Sequence, residues 1–308
     1  VLMTTLVFPG QGSQFLGMSK DFYDNFEVAK STLNEIQDYV KMDLKNIIFE
    51  NRDNLLNFTN YTQISIFTAS VIIFRTLIKE TKLDFSKIEF MLGHSLGEYT
   101  ALACSNKLSL EECSLVLKKR GQLMHDATSS NKTGMAALIG KDADYVDNII
   151  KNNNIDLQIA NDNSPIQVVI SGKIDLIKNY RNLFLQNDIK KYVILNVSAA
   201  FHSQFMEEAQ KILGDEIESL NFSTNHIKII SNYDSSISND TSTIKKALKN
   251  QMANKVQWTQ SIRQLENNGQ KKIIEVGPGK VLSGLIKRIS SNFDIKSINE
   301  ISDLDLND

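Results

Sequence analysis

A serine between two glycines carries the first chemical signal. Gly93-His94-Ser95-Leu96-Gly97 fits the G-x-S-x-G pattern of a nucleophile elbow. A serine at a sharp strand-to-helix turn is pushed out of its sheet, and the flanking glycines let the chain double back. The helix that follows aims N–H groups and its positive dipole end at an oxygen that develops charge. Five residues also fit an ordinary turn serine. The context adds weight, because 89–92 reads as a buried strand and a helix opens directly after it.

A serine nucleophile needs a base. The chain has four histidines. His94 adjoins Ser95 and points elsewhere on a turn, which suits a supporting role. His125 lies late on a helix read over 109–127, as a surface residue or a partner of the helix dipole. His226 sits in a polar loop before a strand. His202 follows a strand read over 190–197, at the junction to the next helix. Sites in open α/β sheets form at such strand ends. A lone histidine is more often structural than catalytic, so position alone favours His202 without settling the base.

Other chemistries fit poorly. Gly10-Gln11-Gly12 is followed by Phe15 where a dinucleotide fingerprint needs glycine, and Gly277-Pro278-Gly279-Lys280 lacks P-loop spacing. No H-E-x-x-H zinc motif and no carboxylate pair of a glycosidase is present. Cys104 and Cys113 are the only cysteines, too few for a disulfide framework or a four-cysteine zinc site; they read as reduced thiols.

The elements that must position Ser95 alternate between strand and helix. A strand over 6–8 runs into the Gly10-Gln11-Gly12 turn. Helices are expected over 20–38 and, as an amphipathic stretch with Ile64, Phe67, Val71, Phe74 and Ile78 at helical spacing, over 63–79. Ser109 and Glu112 suggest a capping box at the start of the 109–127 helix. From about 130 the texture changes. Strands over 134–140, 155–160, 166–171 and 190–197, with helices over 142–152 and 174–187, give a β-α-β-β-α-β order. Thereafter strands over 227–231 and 272–275 alternate with helices over 242–250, 257–267 and 280–289. Residues 232–242, rich in Asn and Ser, read as a surface loop, Trp258 as a packed aromatic, and the acidic tail after Asn299 as solvated. The expected fold class is therefore α/β. A large α/β-hydrolase-like subdomain with a mostly parallel sheet spans 1–129 and 197–308. A small ferredoxin-like subdomain spans 130–196.

Composition agrees with a globular chain. The 308 residues are 42% hydrophobic and 23% charged, and the net charge of −2 gives nucleic-acid binding no support. No apolar run reaches the ~18 residues of a membrane span, the densest being broken at Arg75, and no secretory signal layout opens the chain. A cytoplasmic location is expected.

Taken in order, the motifs resemble one family. They are Phe8-Pro9-Gly10-Gln11-Gly12-Ser13-Gln14, Gly93-His94-Ser95-Leu96-Gly97-Glu98, Arg120-Gly121, Ala200-Phe201-His202-Ser203, Gln257-Trp258-Thr259 and Glu275-Val276-Gly277-Pro278-Gly279-Lys280. From Leu6 to Asn299 the chain resembles the malonyl-CoA:acyl-carrier-protein transacylases of type II fatty acid synthesis. It is also similar to the acyltransferase domains of polyketide synthases. The resemblance implies that Ser95 takes the malonyl group and His202 is its base, oriented by the backbone carbonyl of Gln251. It implies an oxyanion hole from the N–H groups of Gln11 and Leu96. It also implies that Arg120, which alone would read as the end of the solvated run Lys118-Lys119-Arg120, clamps the malonyl carboxylate. Leu96 and the Phe201-His202 pair resemble malonyl-selective members.

The implied substrates are malonyl-CoA and holo acyl carrier protein, with no metal or redox cofactor, and the enzyme is expected to be a monomer. Lys190, Lys191, Lys280, Lys287 and Arg288 are candidates for a basic face toward an acidic carrier. The chain departs from the family at Lys255, where proline is common after Asn254, and at Asp162, where an uncharged residue is common. A serine hydrolase with an Asp partner and an inactive carrier-binding scaffold are the rival readings.

Overall fold

The computed structural model describes residues 3–128, 132–197 and 199–304. Its strands are β1 (Thr4–Phe8), β2 (Ile88–Gly93), β3 (Thr133–Ile139), β4 (Leu157–Ser164), β5 (Gln167–Lys173), β6 (Lys191–Ile194), β7 (Lys228–Ile230), β8 (Ile237–Ser238), β9 (Val256–Gln257), β10 (Lys272–Val276) and β11 (Asp294–Ile298). They form two sheets. The first has the order β11-β10-β1-β2-β7-β8, parallel except at β7–β8. The second has the order β6-β3-β5-β4-β9, antiparallel except at β4–β9.

The first sheet is buried on both faces, as a parallel sheet with crossover helices must be. The two-residue period of a strand divides β1 between two cores: Leu6 and Phe8 pack with Met91, Ile274 and Val276, whereas Val7 packs with Phe90, Leu92 and Ile273. In the second sheet, β6-β3-β5-β4 is the strand order of a ferredoxin-like unit, and it has its own core around Val146, Ile170, Ile177 and Phe184. Its fifth strand, β9, comes from Val256 and Gln257, the second of which is the expected first residue of the helix over 257–267. The expected break at 129/130 falls on residues 129–131, outside the described set.

Several expectations shift for physical reasons. The helix Thr59–Glu80 is not amphipathic against solvent: its central residues are buried all round, including Thr62, Ser65, Thr68 and Thr76. Thr68 and Thr76 donate their hydroxyls to the carbonyls of Ile64 and Ile72 at 2.7 and 2.8 Å, so the polar face needs no water. Over 18 residues its mean hydropathy is 1.4, enough with its length to cross a membrane, and 83% of that window lies inside the protein. The helix expected over 20–38 divides at Phe26, whose backbone is extended. That expected over 174–187 divides at Tyr180. Ser109 caps its helix by accepting from the Glu112 N–H at 3.0 Å. The Glu112 carboxylate accepts instead from the N–H of Asn221, also at 3.0 Å. In the acidic tail Ile301–Leu304 forms a 3-10 turn whose Ile301 and Leu304 pack on the core; residues 305–308 lie outside the described set.

The turn at Ser95 explains its glycines. A Cβ on Gly93 would stand 1.9 Å from the carbonyl oxygen of Gly97, and one on Gly97 would stand 2.2 Å from that of Phe8. Both contacts are backbone to backbone, so neither can relax by a rotamer change. We therefore expect Gly97→Ala to lower stability in urea unfolding by about 2 kcal/mol or more, since overpacking costs roughly 1–3 kcal/mol where the surroundings cannot move. A loss below about 0.5 kcal/mol, the range of a neutral surface change, would show that the elbow tolerates the methyl.

Candidate active site

Ser95 sits between β2 and the helix Gly97–Cys104 with φ at +55°. A left-handed backbone at a residue other than glycine costs on the order of 1–3 kcal/mol and persists only where its surroundings enforce it. Here Asn232 enforces it. Its Oδ1 accepts from the Ser95 N–H at 2.7 Å, and its Nδ2 donates to the Gly93 carbonyl at 2.7 Å. Asn232 is buried, which corrects the expectation of a surface loop over 232–242.

His202 also has a left-handed backbone, at φ +54°. Its Nδ1 lies 3.1 Å from the carbonyl oxygens of Gln251 and Asn254. Two acceptors there require that Nδ1 carry the proton, which leaves Nε2 free to accept. Nε2 stands 2.8 Å from Ser95 Oγ, so the hydroxyl donates to it. Ser95, His202 and the Gln251 carbonyl thus form a relay without a carboxylate. Burial, then the charge of Arg120, pushes the His202 pKa down to about 3.

Arg120 is 1% exposed. The expectation of a solvated basic run fails for it, because the helix Leu110–Asp126 turns this residue inward. Nη1 donates to Gln63 Oε1 at 2.6 Å, and Nη2 donates to Ser95 Oγ and to Gln251 Oε1, each at 3.0 Å. The guanidinium also lies 5.4 Å from the Tyr99 ring centre, and Nε has no hydrogen-bond partner among the described residues. Every one of these acceptors is neutral, and among the described residues no carboxylate hydrogen-bonds to the charge. Burial lowers the pKa of Arg120, yet a guanidinium stays protonated.

Gln11 lies in the turn after β1. Its Oε1 accepts from Thr59 Oγ1 at 2.8 Å, and Thr59 Oγ1 accepts from Gln63 Nε2 at 3.0 Å. This chain of bonds ties the turn to Arg120. Leu96 immediately precedes the first helical residue, where N–H groups have no intrahelical partner. Among the described residues the backbone N–H of neither Gln11 nor Leu96 finds an acceptor. Both residues line a cavity of about 150 Å³ with Ser95, Arg120 and His202; Met124, Met135, Val169, Leu195, Val197 and Phe201 supply its apolar wall.

The remaining candidates fall outside the reacting centre. His94 Nε2 donates to Asn163 Oδ1 at 2.7 Å, and the ring packs on Trp258 at 5.5 Å. His125 makes an edge contact with Phe58, and His226 meets the Ile88 carbonyl at 3.1 Å. Lys190, Lys191, Lys280, Lys287 and Arg288 are exposed, on β6 and its approach and on the helix Val281–Ile289 and its approach. Asp162 accepts from Thr259 Oγ1 at 2.7 Å.

Sequence reading missed Gln63, Glu98 and Asn232. Glu98 is buried, with Oε1 accepting from the Asn232 N–H at 2.8 Å and Oε2 from Gln251 Nε2 at 2.9 Å. Burial raises its pKa to about 7. Its place directly after the elbow was a usable signal. Gln63 had another, as a long polar residue on an otherwise apolar helix.

The arrangement can carry acyl transfer: an activated hydroxyl, a neutral imidazole, two free N–H groups and a buried cation around one small cavity. Comparison with known proteins agrees. The family model "Acyl transferase domain" matches residues 5–304. The malonyl CoA-acyl carrier protein transacylase of Bacillus subtilis is 32% identical over 304 residues, covering 97% of this chain and 94% of the relative. An acyl carrier protein S-malonyltransferase from Vibrio cholerae superposes with a TM-score of 0.92 at 33% identity, covering 98% of this chain and 99% of that one. A malonyl-transacylase solved in complex with its type II PKS acyl-carrier protein has a TM-score of 0.92 at 31% identity, with 98% and 97% covered. With its elbow serine, buried arginine and two sheets in place, this chain belongs to the acyl transferase domain family.

Proposed function

We propose that the chain transfers the malonyl group of malonyl-CoA to the phosphopantetheine thiol of an acyl carrier protein, by a ping-pong route through a malonyl ester on Ser95, and so supplies fatty acid synthesis. The observation that carries this reading is Arg120, a buried guanidinium 3.0 Å from Ser95 Oγ that among the described residues hydrogen-bonds to no carboxylate. A malonyl thioester brings the missing carboxylate, and a planar fork matches it in paired hydrogen bonds. The relatives named as transacylases, one of them bound to its carrier protein, support donor and acceptor.

The steps follow from the geometry. The malonyl carboxylate meets Arg120, which places the thioester carbonyl over Ser95. His202 Nε2 takes the hydroxyl proton as Oγ attacks. The oxyanion is received by the N–H groups of Gln11 and Leu96, donors of a kind whose removal typically costs about 10²–10³ in rate. The thioester C–S bond breaks and CoA leaves with the proton from His202. The carrier thiol then gives its proton to His202 and attacks the ester, the acyl C–Oγ bond breaks, and Ser95 Oγ takes that proton from His202. Burial is the larger cause of the His202 depression and the Arg120 charge the second, so a bound carboxylate that compensates Arg120 relieves only part of it. An acetyl group can do neither.

The relay ends on two backbone carbonyls, whereas the hydrolase rival calls for an Asp on His202. No step calls for a metal or redox cofactor. A cytoplasmic monomer, acting on neither membrane nor nucleic acid, goes with this reading.

Three outcomes test it. Brief incubation with malonyl-CoA should add one malonyl mass to the intact parent chain and none to Ser95→Ala, and holo carrier protein should discharge the adduct faster than water. Discharge mainly by water would make the chain a hydrolase. Arg120→Ala should slow malonyl loading by about 10²-fold, in line with loss of a buried charge partner, while acetyl loading changes little; equal losses would remove the clamp role. His202→Ala should slow loading of Ser95 by about 10²–10⁴-fold, the usual worth of a general base. Near-normal loading of that variant would place the base elsewhere.

A further inference from the structure

Gln251 has a side-chain amide with opposite neighbours at its two ends. Its Oε1 accepts from Arg120 Nη2 at 3.0 Å. Its Nε2 donates to Glu98 Oε2 and to the Ser95 carbonyl, each at 2.9 Å. The orientation of this amide is therefore not free. A carboxylate only accepts, and a guanidinium only donates. With Glu98 on one side and Arg120 on the other, one orientation satisfies both. The second donor to Glu98, the Asn232 N–H, meets Oε1 at 2.8 Å, so both carboxyl oxygens face donors. The same Asn232 holds the Ser95 N–H, and the backbone carbonyl of Gln251 holds His202.

We propose that Glu98 is a positioning residue for the carboxylate clamp: as an acceptor-only group it fixes, together with the Ser95 carbonyl, the Gln251 amide that holds Arg120 aimed at the acyl cavity, and protonation of Glu98 weakens that hold. A protonated carboxyl has a hydrogen to donate where only donors face it. The protonated oxygen becomes a weaker acceptor whose hydrogen points at donors, so the bond it accepts weakens. Where that oxygen is Oε2, which faces Gln251, Arg120 loses a fixed partner at Nη2, while its bond to Gln63 remains. The charged and titratable groups that face Glu98 are Arg120 from the helix Leu110–Asp126, Asp234 from the loop after β7, and Tyr99 from its own helix. Arg120 favours the ionised form and Asp234 opposes it, and burial opposes it most, which puts the change near neutral pH. His202 does not compete in that range, since it stays neutral well below it.

The inference rests on the acyl-transfer reading and makes a separate demand on it: preference for a carboxylate-bearing acyl group should depend on pH. The malonyl carboxylate itself stays ionised from pH 5.5 to 8.5, as carboxylates titrate near 4. In the parent chain the ratio of malonyl to acetyl loading on Ser95 should fall by about tenfold or more as pH drops from 8.5 to 5.5, the worth of one hydrogen bond to a charged group. In Glu98→Gln the ratio should be low throughout and flat with pH. Glu98→Asp, which keeps an acceptor-only group, should restore part of both. A parent ratio that does not change with pH overturns the proposal, and so does a Glu98→Gln chain with the parent's ratio. A residue that only stabilised the fold would lower the melting temperature and leave the ratio alone. Hydrogen exchange at the Arg120 guanidinium, followed by ¹⁵N NMR, reads the same hold without any acyl transfer. Relative to a free guanidinium at the same pH, it should quicken below pH 7 in the parent and be fast at all pH in Glu98→Gln. If neither acyl group loads the parent chain, the functional reading fails, and the exchange measurement still decides whether Glu98 holds Arg120.

Discussion

Taking an ion out of water costs several kcal/mol unless its surroundings replace the lost hydration. Arg120 is an ion in that position, and its surroundings replace hydration with neutral oxygens from Gln63, Gln251 and Ser95. Much of the site follows from this choice. Polar side chains appear on an otherwise apolar core helix, because Gln63 must reach the guanidinium and Thr59 must in turn hold Gln63. The imidazole is kept neutral by its burial first, and then because a second positive charge beside the first would be unfavourable. A direct ion pair would solve the hydration problem more simply, but it would leave nothing for a substrate carboxylate to gain.

The two reacting side chains share a second constraint. Ser95 and His202 both have left-handed backbones, and they belong to different parts of the chain. Ser95 is presented by the parallel sheet, at the end of β2. His202 lies beyond β6, the edge strand of the other sheet. Gln251 precedes β9, which pairs with β4 and so carries a segment of the parallel-sheet side into the second sheet. A 2.8 Å contact between Oγ and Nε2 is thus an agreement between two sheets. Asn232 holds one partner by its backbone N–H, and Gln251 and Asn254 hold the other by their carbonyls. Strain of this kind is stable where several independent bonds over-determine it.

What was legible in the sequence was local. The elbow at Ser95 was readable because its glycines answer to contacts within a few residues of turn and strand. The β-α-β-β-α-β order was readable because each element carries its own period. Where burial depends on distant partners, reading failed. Asn232 lies in an Asn- and Ser-rich stretch whose composition is that of a loop, and only the packing of Glu98 and Gln251 around it makes it interior. Arg120 ends a basic run, and nothing within that run says which of its members turns inward; the family resemblance supplied that. The helix Thr59–Glu80 reads as one-sided because its serines and threonines look like a wet face, whereas they are buried and Thr68 and Thr76 bond back to their own helix. Strands β8 and β9 have two residues each, too few to show a period, and exist only through pairing.

The polarity of the hydrogen-bond network connects these observations. Arg120 can only donate and Glu98 can only accept, so between them the Gln251 amide has one favourable orientation. From the same residue the backbone carbonyl fixes the tautomer of His202, which decides that Nε2 is the basic nitrogen. One residue therefore sets the direction of both the clamp and the base, and its neighbours need no further charge to do so. That His202 Nδ1 meets carbonyls and, among the described residues, no carboxylate follows naturally. A negative charge there would stand close to Arg120 and compete with the substrate for it. Backbone carbonyls orient the imidazole without that competition, leaving the guanidinium's attraction for the acyl group that enters the cavity.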